Sequence, residues 1–155
     1  MRNLVIGDMH FGIKTNNTAW MESQLKLIEK QVIKEAIDND VDNVIFLGDL
    51  FDIRYAINQV IGINVQRLVR KMSVALYDKG IVFIAGNHDY YSPIESLSEY
   101  NAYDLVFPPE FLDAYSNITI VNKDPYYIED ELFVPWYITE DKDKLASYIN
   151  KIGRA

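Results

Sequence analysis

The chain has no cysteine in 155 residues and only two histidines. Disulfides and thiolate ligands are therefore excluded, and any metal site has to be built from oxygen atoms and imidazole. No apolar run approaches the ~18 residues that a membrane-spanning helix needs. Asp8 and His10 interrupt what would be the apolar core of an N-terminal signal peptide. These absences lead us to expect a soluble, cytoplasmic protein with no membrane partner. Basic residues are scarce as well: 15 Lys and Arg stand against 23 Asp and Glu, a net charge of −8. A non-specific nucleic-acid binder carries a basic surface, which this composition argues against. It leaves open an enzyme whose bound cations supply positive charge where a phosphate docks. What is plentiful is apolar: 49% hydrophobic residues suffice for a core, and the length is that of about one domain.

Short β-type runs alternate with long helical patterns. Asn3–Ile6 ends at Gly7, Val41–Leu47 at Gly48, and Ile81–Ala85 at Gly86. Between them, Met21, Leu25, Ile28, Val32 and Ala36 recur at helical spacing over Thr18–Asn39. Ile57, Ile61, Val65, Leu68, Met72 and Leu76 do so over Ile57–Tyr77. The pattern β-α-β-α-β predicts an α/β fold, a mostly parallel sheet with crossover helices. Further on, Ser92–Pro109 reads as a loop with one or two helical turns. Ile118–Val121, Tyr126–Ile128 and Leu132–Val134 read as short strands, and the start of a second sheet is expected. Glu129-Asp130-Glu131 is the turn between the last two, and Thr139 is the cap of a final helix carrying Leu145, Ile149 and Ile152.

Each of the first three strands ends in glycine followed by metal-type ligands: Gly7-Asp8-Met9-His10, Gly48-Asp49-Leu50-Phe51-Asp52 and Gly86-Asn87-His88-Asp89. In open parallel sheets ligands gather beyond the carboxyl ends of the strands, so these three loops are expected to meet. Several carboxylates in one cleft repel one another and are costly to desolvate; a divalent cation resolves this. The sulfur-free set suits Mn, Fe, Mg or Zn. Asp8 and His10, two residues apart on an extended segment, are placed to chelate one ion. Asp49 is placed to bridge two, Asn87 to bind the second, and His88 to act on a substrate rather than on metal.

Each residue also has a plainer reading. Asp8 and His10 alone, or Asp49 alone, suit a turn. Asp52 and Asp89 either orient a ligand or cap a turn, and Arg54 either reaches a phosphate or pairs on the surface. Tyr90, Tyr91, Tyr100 and Tyr103 either stack on bases or, as we expect, pack under a loop. The Ile57–Leu76 stripe is core with room for a dimer seam.

The blocks D-x-H, G-D-x-x-D and G-N-H-D, in this order on these strands, resemble the calcineurin-like metallophosphoesterases. "GDMHFGIKT" and "FLGDLFDIRYAI" look most like the nuclease subunits of SbcCD and Mre-type repair complexes, and especially their T-even-phage counterparts. The resemblance reaches "FVPW", Phe133–Trp136. It implies the αββα phosphoesterase sandwich and a two-metal site, usually manganese, that cleaves DNA phosphodiester bonds as an endo- or exonuclease in recombination and repair. By position, Asp8 and His10 would bind the first metal, Asp49 would bridge, and Asn87 would bind the second. His88 would contact the scissile phosphate or protonate the leaving oxygen. Partners implied are DNA, an SMC-like ATPase subunit and a second copy through the helices after the second block, here 57–77. For a viral member the compartment would be the host-cell cytoplasm. The family pattern continues with a Gly-His and a Gly-His-x-His, whereas this chain has no histidine after His88. The expectation is therefore that residues 1–155 are the N-terminal part of the domain, weakly active alone, with the missing C-terminal part as a partner. The rivals are another phosphodiesterase or phosphatase of the superfamily, and a non-catalytic module for dimerisation or partner binding.

Overall fold

The computed structural model describes residues 1–92, 97 and 99–152. Strands β1 (Asn3–Ile6), β2 (Asn43–Phe46), β3 (Gly80–Ile84) and β4 (Ile118–Val121) form one parallel sheet, in the order in which they occur along the chain. Asn3 pairs with Asn43, Asn43 with Gly80, and Ile81 with Ile118. Ile118–Val121 thus belongs to the first sheet. The other two short strands, β5 (Tyr126–Ile128) and β6 (Glu131–Phe133), pair as an antiparallel hairpin. Its turn is tighter than expected: Glu129 takes a left-handed φ of 50° and Glu131 already pairs in β6.

The first long helical pattern forms a continuous rod: α1 (Thr18–Leu27), a π-helical turn at Ile28–Val32, and α2 (Ile33–Asp38). Asn17 caps its start by accepting from the Trp20 amide. The π turn, in which the Ile33 amide bonds the Ile28 carbonyl, is invisible in the apolar spacing. The second pattern is α3 (Gln59–Ala75), capped by Asn58, with Ile61, Val65, Leu68, Val69 and Met72 buried. At its far end Asn117 Nδ2 donates to the carbonyls of Ser73, Leu76 and Lys79 at 3.2, 2.9 and 3.2 Å, satisfying groups the helix leaves unpaired.

The stretch expected to be loop with one or two helical turns holds the five-residue α4 (Ala102–Val106), and α5 (Pro109–Ala114) begins at its last residue. Pro109 begins α5 at its first position, where a missing N–H costs nothing. The part of that expectation on Pro93–Ser96 and Ser98 lies outside the described residues. Near the C-terminus, α6 (Trp136–Thr139) precedes α7 (Lys142–Ile152). The α7 cap is Asp141, whose carboxylate accepts from the Asp143 and Lys144 amides. Thr139 instead turns its hydroxyl back onto the Trp136 carbonyl, because it lies at the end of α6.

Alternation along the strands separates two cores. Val44, Phe46, Ile81, Phe83 and Ile118 face the helices, where Phe46 and Phe83 stack at 4.6 Å and Phe83 meets Phe107 at 5.8 Å. Each buried aromatic or aliphatic side chain stabilises by roughly 1.5–3 kcal/mol. Ile45, Val82, Ile84 and Val121 face the other way, under Phe133 and Ile128 of the hairpin. Among the described residues, no helix is long and apolar enough to cross a membrane.

Candidate metal centre

The carboxyl ends of β1, β2 and β3 open side by side. Their loops are sewn together by main-chain bonds: the His10 and Phe11 amides donate to the Asp49 and Leu50 carbonyls at 2.9 and 2.8 Å, and the Asp52 amide returns to the Phe11 carbonyl at 3.0 Å. Close approach depends on two glycines. A Cβ on Gly48 (φ 117°) would lie 2.7 Å from Gly86 Cα, and one on Gly86 would lie 2.3 Å from Asp49 Oδ1. His10 and Asp49 themselves hold left-handed φ values of 48° and 47°. For residues with a Cβ this conformation is uncommon, and here both side chains that adopt it point at the same place.

Asp8, His10 and Asp49 each bring a ligand atom within 4.8 Å of the others'. His10 Nε2 lies 3.9 Å from Asp8 Oδ2 and 3.7 Å from Asp49 Oδ2, while Nδ1 is 3.1 Å from Asp52 Oδ1. A carboxylate only accepts, so Nδ1 carries the hydrogen and the Nε2 lone pair is directed at Asp8 and Asp49. Asp8 is well exposed and Asp49 is mostly covered. Asp49 Oδ1 also accepts from the His88 amide at 2.8 Å.

Asn87 reaches Asp49 on one side and Arg54 on the other. With its NH₂ toward Asp49 it donates to both carboxylate oxygens (3.2 and 3.0 Å), and its oxygen accepts from Arg54 Nη2 at 2.8 Å. In the opposite orientation three oxygen atoms face one another, an arrangement that needs a cation among them. Asp8, Asp49 and Asn87 line one cleft of about 330 Å³ together with Trp136 and Thr139. The donor set of two carboxylates, one imidazole nitrogen and a carboxamide oxygen therefore suits divalent ions that prefer oxygen and nitrogen.

His88 stands beside this cluster. Its ring meets that of His10 edge to face at 5.1 Å, and its Nδ1 donates to the Asp52 carbonyl at 2.6 Å, which makes Nε2 the ring's second, lone-pair nitrogen. Asp89 is buried beneath: its carboxylate accepts from the Phe51 and Gly86 amides at 3.1 and 2.9 Å, tying the second loop to the third. Burial pushes the Asp89 carboxyl up to about 7, against the opposing pull of those two amides. The Asp52 carboxylate faces His10, in keeping with the ligand-orienting reading, while its hold on His88 runs through a backbone carbonyl that no spacing signals. The sequence reading did not foresee that Arg54 would rest on Asn87. Of the four tyrosines singled out, Tyr90 and Tyr103 are buried as packing residues, with hydroxyls on the Asn122 and Ile84 carbonyls. Tyr91 and Tyr100 are exposed.

The family model of the calcineurin-like phosphoesterases matches residues 1–152. Exonuclease subunit 1 of Enterobacteria phage T4 is 28% identical over 154 residues, which is 96% of this chain and 42% of that protein. The DNA double-strand break repair protein Mre11 of Sulfurisphaera tokodaii is 31% identical over 122 residues, 77% of this chain and 28% of that one. The chain thus spans less than half the length of these curated relatives. Among solved structures, Pseudomonas putida nuclease MPE superposes with a TM-score of 0.50 at 25% identity, covering 83% of this chain and 50% of its own.

Proposed function

Because the chain belongs to the calcineurin-like phosphoesterase family, whose members use divalent metals, we propose that it is the ligand-bearing N-terminal portion of a DNA nuclease subunit that hydrolyses phosphodiester bonds in recombination or repair. The observation that carries this reading is that Asp8, Asp49 and Asn87 line one cleft, with His10 bringing a ligand atom close to both carboxylates and His88 beside it. The names of the relatives, an exonuclease subunit, a DNA double-strand break repair protein and a nuclease, direct the choice of substrate toward DNA.

In this reading Asp8 and His10 hold a first cation, Asp49 is shared, and Asn87 serves a second; manganese is the expected ion. Bound ions of this kind polarise a phosphate and make water nucleophilic at neutral pH. The chain's own contribution is positional. His88, whose Nδ1–H is held by the Asp52 carbonyl, presents Nε2 and, as the doubly protonated imidazolium, delivers the Nε2 proton to the leaving oxygen. Arg54 binds the Asn87 oxygen only while the Asn87 NH₂ faces Asp49; with that oxygen on a cation the guanidinium is released toward a phosphate. Since no imidazole follows His88, the 155-residue chain by itself is expected to bind metal weakly and to cleave slowly. The exposed apolar side chains Val60, Ile63, Val74 and Tyr77 of the second helical segment suit a second copy, and an ATPase subunit is the expected working partner.

The test is manganese titration and hydrolysis by the chain and by Asp49→Ala, with linear duplex DNA, a cyclic nucleotide and a phosphopeptide as parallel substrates. Metal binding that depends on Asp49, with DNA as the preferred substrate, is expected. Preference for the nucleotide or the phosphopeptide would assign the site to a phosphodiesterase or phosphatase. Absence of any Asp49-dependent metal binding would leave only a partner-binding module.

A further inference from the structure

A second cleft, of about 380 Å³, adjoins the metal centre through Arg54, which lines it while also reaching Asn87. The volume falls in the range of about 300–1,000 Å³ usual for small-molecule sites. Three tyrosines line it: Tyr55 (74% exposed), Tyr91 (47%) and Tyr100 (56%). Their neighbours Tyr90 and Tyr103 spend their rings on the core, so the exposure of these three is not a shortage of interior space. Tyr55 and Tyr91 meet edge to face at 5.7 Å and 79°, which leaves ring faces available to a third flat group.

The other lining groups restrict what that group is. Glu99 and Asp104 are both on the wall; Asp104 is paired with Lys123 at 2.9 Å. Carboxylates repel a phosphate placed among them, so the polyanionic part of a ligand belongs on the Arg54 side, next to the metal ligands. The cleft itself suits an uncharged aromatic ring whose edge donates hydrogen bonds to a carboxylate. A nucleobase joined to a phosphate has this division of character.

We propose that the Arg54–Tyr55–Tyr91–Tyr100 cleft is a stacking subsite for one unpaired nucleobase flanking the phosphate held at the metal centre. The inference rests on the nucleic-acid reading of that centre and narrows it, toward frayed, flapped or single-stranded DNA. A base within an intact duplex has no free face to offer; an unpaired one stacks on tyrosine irrespective of sequence.

The experiment measures binding of a short single-stranded oligonucleotide with 2-aminopurine near one end to the 155-residue chain in manganese, beside a blunt duplex of the same sequence. Stacking is expected to quench the 2-aminopurine. The double substitution Tyr55→Leu, Tyr91→Leu is expected to weaken single-strand binding by roughly 10- to 100-fold and to abolish the quench, with duplex binding unchanged. Tyr55→Phe with Tyr91→Phe should retain both, since the ring face is what counts. An abasic nucleotide in place of the stacked base should cost the wild type as much as the Leu variant loses, and should cost that variant nothing more. Tyrosine-independent binding of the single strand, with metal binding intact, overturns the subsite and leaves the nuclease reading standing. Failure to bind either DNA overturns both.

Discussion

His88 is held by the backbone of Asp52 and not by its side chain: Nδ1 donates to the carbonyl at 2.6 Å, while the carboxylate is engaged 3.1 Å from His10. One residue thus serves both imidazoles through separable groups, and mutation can take one away and leave the other.

Asp52→Ala is expected to spare the anchor of His88 and to free the ring of His10. Loss of a carboxylate that orients a metal-binding histidine usually costs about 10–100-fold in metal affinity. Calorimetric titration with Mn²⁺ measures it; unchanged affinity would mean that the His10 ring is oriented by its loop alone.

His88→Ala is expected to leave metal affinity within about twofold of wild type and, in a protein carrying the full ligand set, to lower turnover by about 10²–10⁴-fold. Loss of metal binding in this variant would move His88 into the ligand set.

Arg54→Met should act in opposite directions on metal and on DNA. The guanidinium rests on the carboxamide proposed for the second cation, and unit charges 4 Å apart interact by about 4 kcal/mol at an effective dielectric of 20. After screening, tightening of the second Mn²⁺ step by roughly tenfold is expected, together with weaker binding of DNA. If both affinities fall, Arg54 supports the fold of the site and does not compete with the ion.

Gly86→Ala is expected to expel Asp49 from its place. The backbone at Gly86 is ordinary, but the added methyl would meet Asp49 Oδ1 at 2.3 Å and its amide nitrogen at 2.4 Å. Overpacking of this kind costs about 1–3 kcal/mol. Urea unfolding should show a folded but less stable protein, and titration should show Mn²⁺ binding lost. Wild-type binding in a stable variant would rule out a close Gly86–Asp49 packing.

The first three strands were readable because each paired an apolar run with a terminal glycine, and the long helices because their apolar residues recur at helical spacing. The residues gathered at the centre were readable in turn, since strand ends in a parallel sheet are neighbours. What escaped reading depends on contacts that no period encodes. The service of Asp52 to His88 is through a carbonyl, which every residue has. The place of β4 in the first sheet is set by pairing with β3, and its short run Ile118–Val121 carries no label of its partner. The helix starting at Pro109 was obscured by Pro108-Pro109, which look like a stop although the second is a start. Tyr90 and Tyr91 are adjacent in sequence yet opposite in environment, because a single step along an extended chain reverses the side-chain direction.

The order of the sheet has a further consequence, for how the molecule comes into being. Each strand pairs with the one made just before it, so a chain emerging from the ribosome adds each strand to a growing edge and never inserts one between two already joined. Pairings that wait for distant sequence slow folding and leave edges exposed; here the wait is one crossover at a time. The residues of the candidate centre arrive in the same sequence, Asp8 and His10 first, Asp49 next, Asn87 and His88 last. The carboxylates of Asp8 and Asp49 come together when β2 pairs with β1, and Asn87 completes the cleft they line only when β3 docks.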